Sequence, residues 1–224
     1  MKQIIASWSG GKDSCFACYK ALQSGLEVSY ILNSISKKFK RSSFHGVREK
    51  LLELQSENIG IPLCKNWVTA KSYENSFKAL IRKLKPRGVI FGDIDLQEHR
   101  DWIERVCREI GVKPYMPLWG SDQEKLLIEF VEAGFKAIVV AANAKIFGKE
   151  WLGRKVDKKF LADLKKLPVT PCGELGEYHT FVIDGPLFRK PVEISYGKTV
   201  LRRGYWFLDL EPCLPACRSG RVTT

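Results

Sequence analysis

Acidic side chains are in short supply in this chain. Twenty-five Asp and Glu stand against 37 Lys and Arg, a formal net charge of +12. A surplus of that size attracts polyanions at long range, and the classes it admits are ATP, RNA and an acidic protein. RNA is the weaker of these, because no recognised RNA-binding motif accompanies the charge. Long apolar runs are missing as well. No stretch approaches the roughly 18 residues a membrane span needs, and the first residues do not have a signal-peptide layout, so the expectation is a cytoplasmic protein with no membrane partner. The seven cysteines are an odd number and do not suit a disulfide framework in that compartment. Internal repeats and low-complexity tracts are absent. So are the Walker A spacing and the dinucleotide fingerprint G-x-G-x-x-G. Histidine is scarce, at three residues.

What is present is an ordinary globular composition, 45% hydrophobic and 28% charged over 224 residues, enough for one large or two small domains. Its most informative segment is Ser9-Gly10-Gly11-Lys12-Asp13-Ser14. An apolar run, Gln3 to Trp8, reads as a buried strand before it, and Cys15 to Leu22 reads as a helix after it. Strand, glycine loop and helix is a geometry that binds polyphosphate. Glycines let the backbone come close to an anion, and the amide groups and dipole of the helix start converge on it. Lys12 adds a full charge, and Ser9 and Ser14 add hydroxyl donors. The hexapeptide resembles the pyrophosphate loop of the N-type ATP pyrophosphatases, a superfamily that cleaves ATP between its α and β phosphates and adenylates a substrate.

The first half alternates strand and helix. Strands are expected at Glu27 to Asn33, Ile61 to Trp67 and Gly88 to Gly92. Helices are expected at Val47 to Asn58, Tyr73 to Leu84 and Gln97 to Ile110. Repeated strand–helix units imply a parallel sheet with helices on both faces. Ligands on such sheets bind at the carboxyl ends of strands, which places the loop, Asn33 and Asp93 along one edge. The second half differs. Ser121-x-x-Glu124 reads as a capping box opening a helix from Asp122 to Ala133. A strand from Phe135 to Ala141 follows, then a charged helical stretch from Trp151 to Leu164. Strand-like runs come after it at Thr180 to Ile183, Val192 to Tyr196 and Thr199 to Leu210. The division expected is a nucleotide domain over 1–118, a smaller α+β domain over 119–210 and a loose tail over 211–224, with the boundary where prolines and a glycine cluster at Pro114 to Gly120.

Several smaller constellations carry chemistry. Asp93 fits either a Mg²⁺ site or a turn carboxylate, Asp95 can cap the next helix, and Arg100 can meet a phosphate or lie in solvent. His45 sits in a loop beside the nucleotide edge, where it can touch phosphate, carry a proton or have no special part. Cys15 and Cys18 form a C-x-x-C that reads as buried thiols on a helix, and Cys213 with Cys217 lacks the further ligands a metal clip needs. Cys172 to Pro186 is rich in glycine and acid before it runs into a strand. Its Glu174 and Glu177 can accept protons from an amine, hold an ammonium ion or fasten loop amides.

Taken together, SGGKDS, the His45-Gly46 helix start, Gly92-Asp93-Ile94 with His99-Arg100, Pro117-Leu118-Trp119-Gly120, Trp151-Leu152-Gly153 and Gly173 to Phe188 resemble the diphthine–ammonia ligase family over roughly residues 2 to 195. The resemblance implies a Rossmann-like N-terminal domain of the HUP type. It also implies ATP and Mg²⁺ as cofactors, ammonia as co-substrate, and a carboxylate on translation elongation factor 2 as acceptor. The reaction implied is adenylation with release of pyrophosphate, then displacement of AMP by ammonia. By the same resemblance Ser9, Gly10, Gly11, Lys12, Asp13 and Ser14 lie on the phosphates. The resemblance also puts His45, Gly92 and Asp93 at the site edge; Asn33 joins the nucleotide site and Mg²⁺ is set at Asp93 by their strand-end positions, and Lys12, Asp13, Glu174 and Glu177 are the residues expected to be catalytic. His179 departs from the pattern, standing where an acid is expected, in a Tyr-His-Thr-Phe form whose acceptor can differ. Two other functions remain in play, a tRNA-modifying adenylating enzyme and a non-catalytic adenine-nucleotide sensor. Assembly into a homo-oligomer is left open.

Overall fold

A computed structural model of the chain describes residues 3–42, 45–69 and 71–213. Two sheets organise it. The first has five parallel strands in the order β3-β2-β1-β4-β5, formed by β1 (Ile4–Ser7), β2 (Val28–Ser36), β3 (Leu63–Val68), β4 (Gly88–Ile90) and β5 (Lys113–Tyr115). Four helices connect and flank them: α1 (Lys12–Gln23), α2 (Glu49–Ile59), α3 (Tyr73–Leu84) and α4 (Gln97–Ile110). β1 lies in the middle, and its Ile4, Ile5 and Ala6 are buried, as a strand covered on both faces requires.

The second sheet is antiparallel, in the order β7-β6-β9-β8, with β6 (Lys136–Asn143), β7 (Tyr178–Asp184), β8 (Ile194–Arg202) and β9 (Tyr205–Pro212). α5 (Gln123–Glu132) and α6 (Lys158–Leu164) belong to this half. Packing joins the two sheets through the first helices. Phe16 of α1 meets Phe130 and Phe135 edge-on at 5.8 and 5.9 Å, a favoured aromatic arrangement. Val47 and Leu51 share a buried cluster with Ile138, Val140 and Phe181 of the second sheet. Those contacts hold the loop between β1 and α1 against β7. Among the described residues no helix is long and apolar enough to cross a membrane.

Several expectations need correction. The helix after residue 120 is capped by Asp122, whose carboxylate accepts from the Lys125 amide at 2.9 Å, not by Ser121. One residue of slippage occurs because Asp also caps well. The charged stretch from Trp151 resolves into a single 3-10 turn, Lys149–Trp151, and the short α6. The run from Thr199 to Leu210 is two strands, broken at Arg203 and Gly204, both with positive φ (50° and 79°), the backbone that a tight two-residue hairpin turn demands. Pro114 lies inside β5, paired with Val89. Proline is tolerated there because β5 is an edge strand. The expected tail is described only to Cys213, and Cys217 lies outside the described residues.

Candidate active site

The glycine loop leaves β1 at the carboxyl edge of the parallel sheet and enters α1 directly, with Gly11 as the helix N-cap. It is fastened from three sides. From within, the Ser9 and Ser14 hydroxyls meet at 3.0 Å and Ser14 donates to the Gly11 carbonyl. From α2, the Gln55 amide donates to the Gly10 carbonyl (3.1 Å) and to the Val182 carbonyl (2.7 Å), while its oxygen accepts from the Trp8 indole (2.9 Å). From β7, Thr180 Oγ1 accepts the Lys12 amide (3.0 Å) and the Val182 amide donates to the Gly10 carbonyl (2.9 Å). Gly92, at the end of β4, packs onto the loop so closely that a Cβ there would lie 2.8 Å from the Asp13 carbonyl carbon. A Cβ on Gly11 would meet the His45 ring at 2.4 Å. Both positions need glycine for that approach.

A cavity of about 750 Å³ opens beside this loop, within the range of small-molecule sites. Ser9, Lys12, Asp13, Ser14, Asn33, His45, Gly92, Asp93 and Glu174 line it, so one cleft gathers most of the expected positions from five separate chain segments. Gly10 and Gly11 do not line it. Ser43 and Phe44, which precede His45, are outside the described residues.

Lys12 is buried. Its ammonium lies 2.9 Å from both Asp13 oxygens, donates to the Cys172 carbonyl, and stands 5.3 Å from the centre of the Tyr178 ring. Burial works against the charge, but Asp13 together with Tyr178 and Cys172 outweighs it and holds the ammonium above the usual lysine range, so it stays protonated. Asn33 is buried, donates to the Trp8 carbonyl at 2.6 Å, and its Oδ1 has no partner among the described residues. Such an orphaned acceptor is costly unless a ligand donor meets it.

The two glutamates separate. Glu174 faces the cleft, accepts from the Ile94 amide at 3.2 Å, and is raised to about 7 by burial and then by the charge of Asp13, with Asp93 adding to it. Glu177, expected to be catalytic, does not line the cleft. It is buried, and its Oε1 takes the Thr170 amide and hydroxyl at 2.7 and 2.9 Å, holding the start of the loop. The sequence spacing put them on a shared loop, but the intervening turn points them apart.

Two histidines also line the cleft. His45 and His179 stand 4.7 Å apart, ring centre to ring centre. The Thr180 carbonyl, 2.9 Å from His45 Nδ1, can only accept, so Nδ1 carries the proton. Burial lowers His45, and burial with the neighbouring His45 and Lys12 lowers His179 to about 3, so both rings are neutral at pH 7. Asp93 accepts from His99 Nδ1 at 2.9 Å. Arg100 pairs with Glu104 at 2.7 Å and lies over Trp119, away from the cleft. Asp95 accepts from Gln123 and caps nothing; Leu96 is the N-cap of α4. Among the described residues no cluster of three or more His, Cys, Asp or Glu could hold a metal. Cys15 and Cys18 are buried in α1, and burial pushes Cys18 up to about 12. Sequence reasoning missed Gln55, Cys172 and Thr180 as parts of this site. Their partners on the loop are distant in sequence, and only the adjacency of Cys172 and Thr180 to Glu174 hinted at them.

Residues 1–114 match a family described as the diphthamide synthase N-terminal domain, and residues 122–213 its C-terminal domain. Relatives named diphthine–ammonia ligase include one from Schizosaccharomyces pombe, 29% identical, with 88% of this chain and 37% of that protein covered. Those from Bos taurus and Homo sapiens are each 26% identical, over 88% and 89% of this chain and 85% of theirs. The chain thus spans little more than a third of the yeast protein and most of the mammalian ones. A solved structure titled as a predicted subunit of a tRNA methyltransferase from Methanocaldococcus jannaschii superposes with a TM-score of 0.45 at 15% identity, covering 83% of this chain and 98% of that one. That likeness is too slight to bear on function.

Proposed function

The chain belongs to the diphthamide synthase family, and from that premise we propose that it is an ATP-dependent amide ligase of the diphthine–ammonia ligase kind. It activates a carboxylate as its acyl-adenylate, with pyrophosphate leaving, and passes the acyl group to ammonia, with AMP leaving. The acceptor in this reading is a protein carboxylate of the elongation factor 2 type. The observation that carries it is the convergence, in one cleft, of the Ser9–Ser14 loop with a carboxyl group, Glu174, poised near neutrality.

The chemistry follows from the groups in that cleft. A carboxylate is inert toward ammonia until one of its oxygens becomes part of a leaving group. The loop amides, the Ser9 and Ser14 hydroxyls and the buried Lys12 ammonium stabilise the charge that gathers on departing pyrophosphate. In the free protein Lys12 is satisfied by Asp13 and the Cys172 carbonyl; nucleotide phosphates replace or extend those contacts. The orphaned Asn33 Oδ1 accepts from the nucleotide. Mg²⁺ arriving with ATP needs only one or two protein carboxylates. Asp93 is the one at the sheet edge, with Asp13 close enough to Glu174 to raise it, and the ion would offset the repulsion among these acids. Ammonia attacking the acyl carbon must shed a proton. Glu174, half ionised at pH 7, is matched to take it. The neutral His45 and His179 rings add no charge of their own to the cleft.

Incubation with ATP labelled at the α phosphate, ammonium and the acceptor protein tests this. The labelled product is AMP, and its formation depends on the acceptor. Labelled ADP would refute the reading, and ATP held without turnover would convert it to a nucleotide sensor.

A further inference from the structure

The loop that brings His45 to the cleft begins with Lys37-Lys38-Phe39-Lys40, all four exposed. Its outer part touches the far end of the β8–β9 hairpin, where Arg202 lies 5.7 Å from the Phe39 ring centre and Lys38 lies 5.3 Å from it. Val200 and Leu201 beside Arg202 are 47% and 56% exposed. Adjacent strand residues point to opposite faces, so this end of the hairpin projects with both faces uncovered. Among the described residues Lys38, Lys40, Arg202 and Arg203 make no ion pair, whereas the neighbouring Arg41 is held by Asp209 at 2.9 Å and Arg48 by Asp209 and Glu211. The acids here are already engaged in fastening the loop, and the cations beyond them are left over.

We propose that this patch, formed by the Lys38–Lys40 loop and the Val200–Arg203 hairpin end, docks an acidic polypeptide segment carrying apolar side chains, and so seats a protein acceptor at the cleft. The proposal rests on the ligase reading for the acceptor's identity as a protein; the patch itself rests on charge and exposure. Unpaired cations around exposed aliphatic groups complement glutamates interspersed with apolar residues. A nucleic acid is less well served. Base binding without sequence preference uses free aromatic platforms, but the Phe39 ring is attended by its own chain's Lys38 and Arg202. The exposed Tyr196 lies toward the opposite end of β8, paired with Leu210.

Fluorescein-labelled poly-L-glutamate, titrated with the full chain at low ionic strength and read by anisotropy, tests this, with labelled tRNA as the second probe. Three variants are compared: K38E/R202E, V200S/L201S, and K155E/K159E. The last changes two exposed lysines elsewhere and matches the first in net charge. The K38E/R202E change is expected to weaken polyglutamate binding about tenfold or more, V200S/L201S to weaken it less, and K155E/K159E to leave it within about twofold. ATP binding, measured in parallel, is unchanged in all three. No polyglutamate binding, equal losses in the two charge-reversed variants, or a loss confined to tRNA would overturn the proposal. Failure of the wild-type chain to bind ATP would instead strike the ligase reading and leave the docking result standing.

Discussion

Replacing Glu174 by Gln removes one negative charge from a place where burial, Asp13 and Asp93 all disfavour it. The carboxyl is raised from an ordinary 4.5 to about 7. Each tenfold in proton affinity is about 1.36 kcal/mol, so the ionised form costs the fold about 3 kcal/mol before screening. The side chain faces an open cleft, and solvent reduces that to about 1–2 kcal/mol. Because the folded value lies above the unfolded one, the penalty is absent below about pH 4.5, grows through neutrality and is complete above about pH 7. Glu174→Gln should therefore match wild type in urea melts at pH 4.5 and exceed it by about 1–2 kcal/mol at pH 8, since the amide oxygen still accepts from Ile94. The same variant should lose about 10²- to 10⁴-fold in ammonia-dependent turnover while still binding ATP. A stability difference that ignores pH, or undiminished turnover, would refute the assignment.

Other perturbations follow from the same geometry. Gly92→Ala forces a methyl to within 2.8 Å of the Asp13 backbone and should destabilise the protein by about 1–3 kcal/mol and weaken ATP binding, both visible by calorimetry. Thr180→Val removes the acceptor of the Lys12 amide; ATP affinity should fall by about tenfold, near the value of one buried hydrogen bond, with His45 still held by the Thr180 carbonyl. Lys12→Met should abolish ATP turnover and leave the half-buried Asp13 without its partner; because solvent still reaches that carboxylate, the cost should be about 1–3 kcal/mol, measurable by urea melts. Asp209 is held down to about 2, chiefly by its hydrogen bonds to Arg48 and Arg41. Its stabilisation is present above about pH 4 and lost as pH falls toward 2, so Asp209→Asn should flatten acid unfolding in that window.

Much of the parallel half was legible because its punctuation is local. α3 and α4 begin and end where the apolar stripe, Lys85-Pro86 and Gly111 place them, and the Ser9–Ser14 loop stands at the first strand-to-helix junction. β5 escaped because three residues including a proline carry too little pattern to read as a strand. The β8–β9 turn escaped because Arg203-Gly204 is not among the dipeptides that announce a hairpin, although both residues adopt its backbone. At the site, sequence placed the residues that line the cleft better than those that support them. Gln55 bonds to the loop 45 residues away, and Thr180 reaches the Lys12 amide across 168; no local periodicity encodes such pairs. Glu174 and Glu177 looked equivalent as acids three apart, and only the turn between them makes one face the cleft and the other Thr170.

The account turns on a carboxylate oxygen attacking the α phosphate of ATP held at the first β-to-α junction. With oxygen-18 placed in the acceptor carboxylate and the products resolved by mass spectrometry, that attack carries a single heavy oxygen into AMP. Heavy oxygen recovered in inorganic phosphate alongside ADP, or AMP formed without any label, would contradict it.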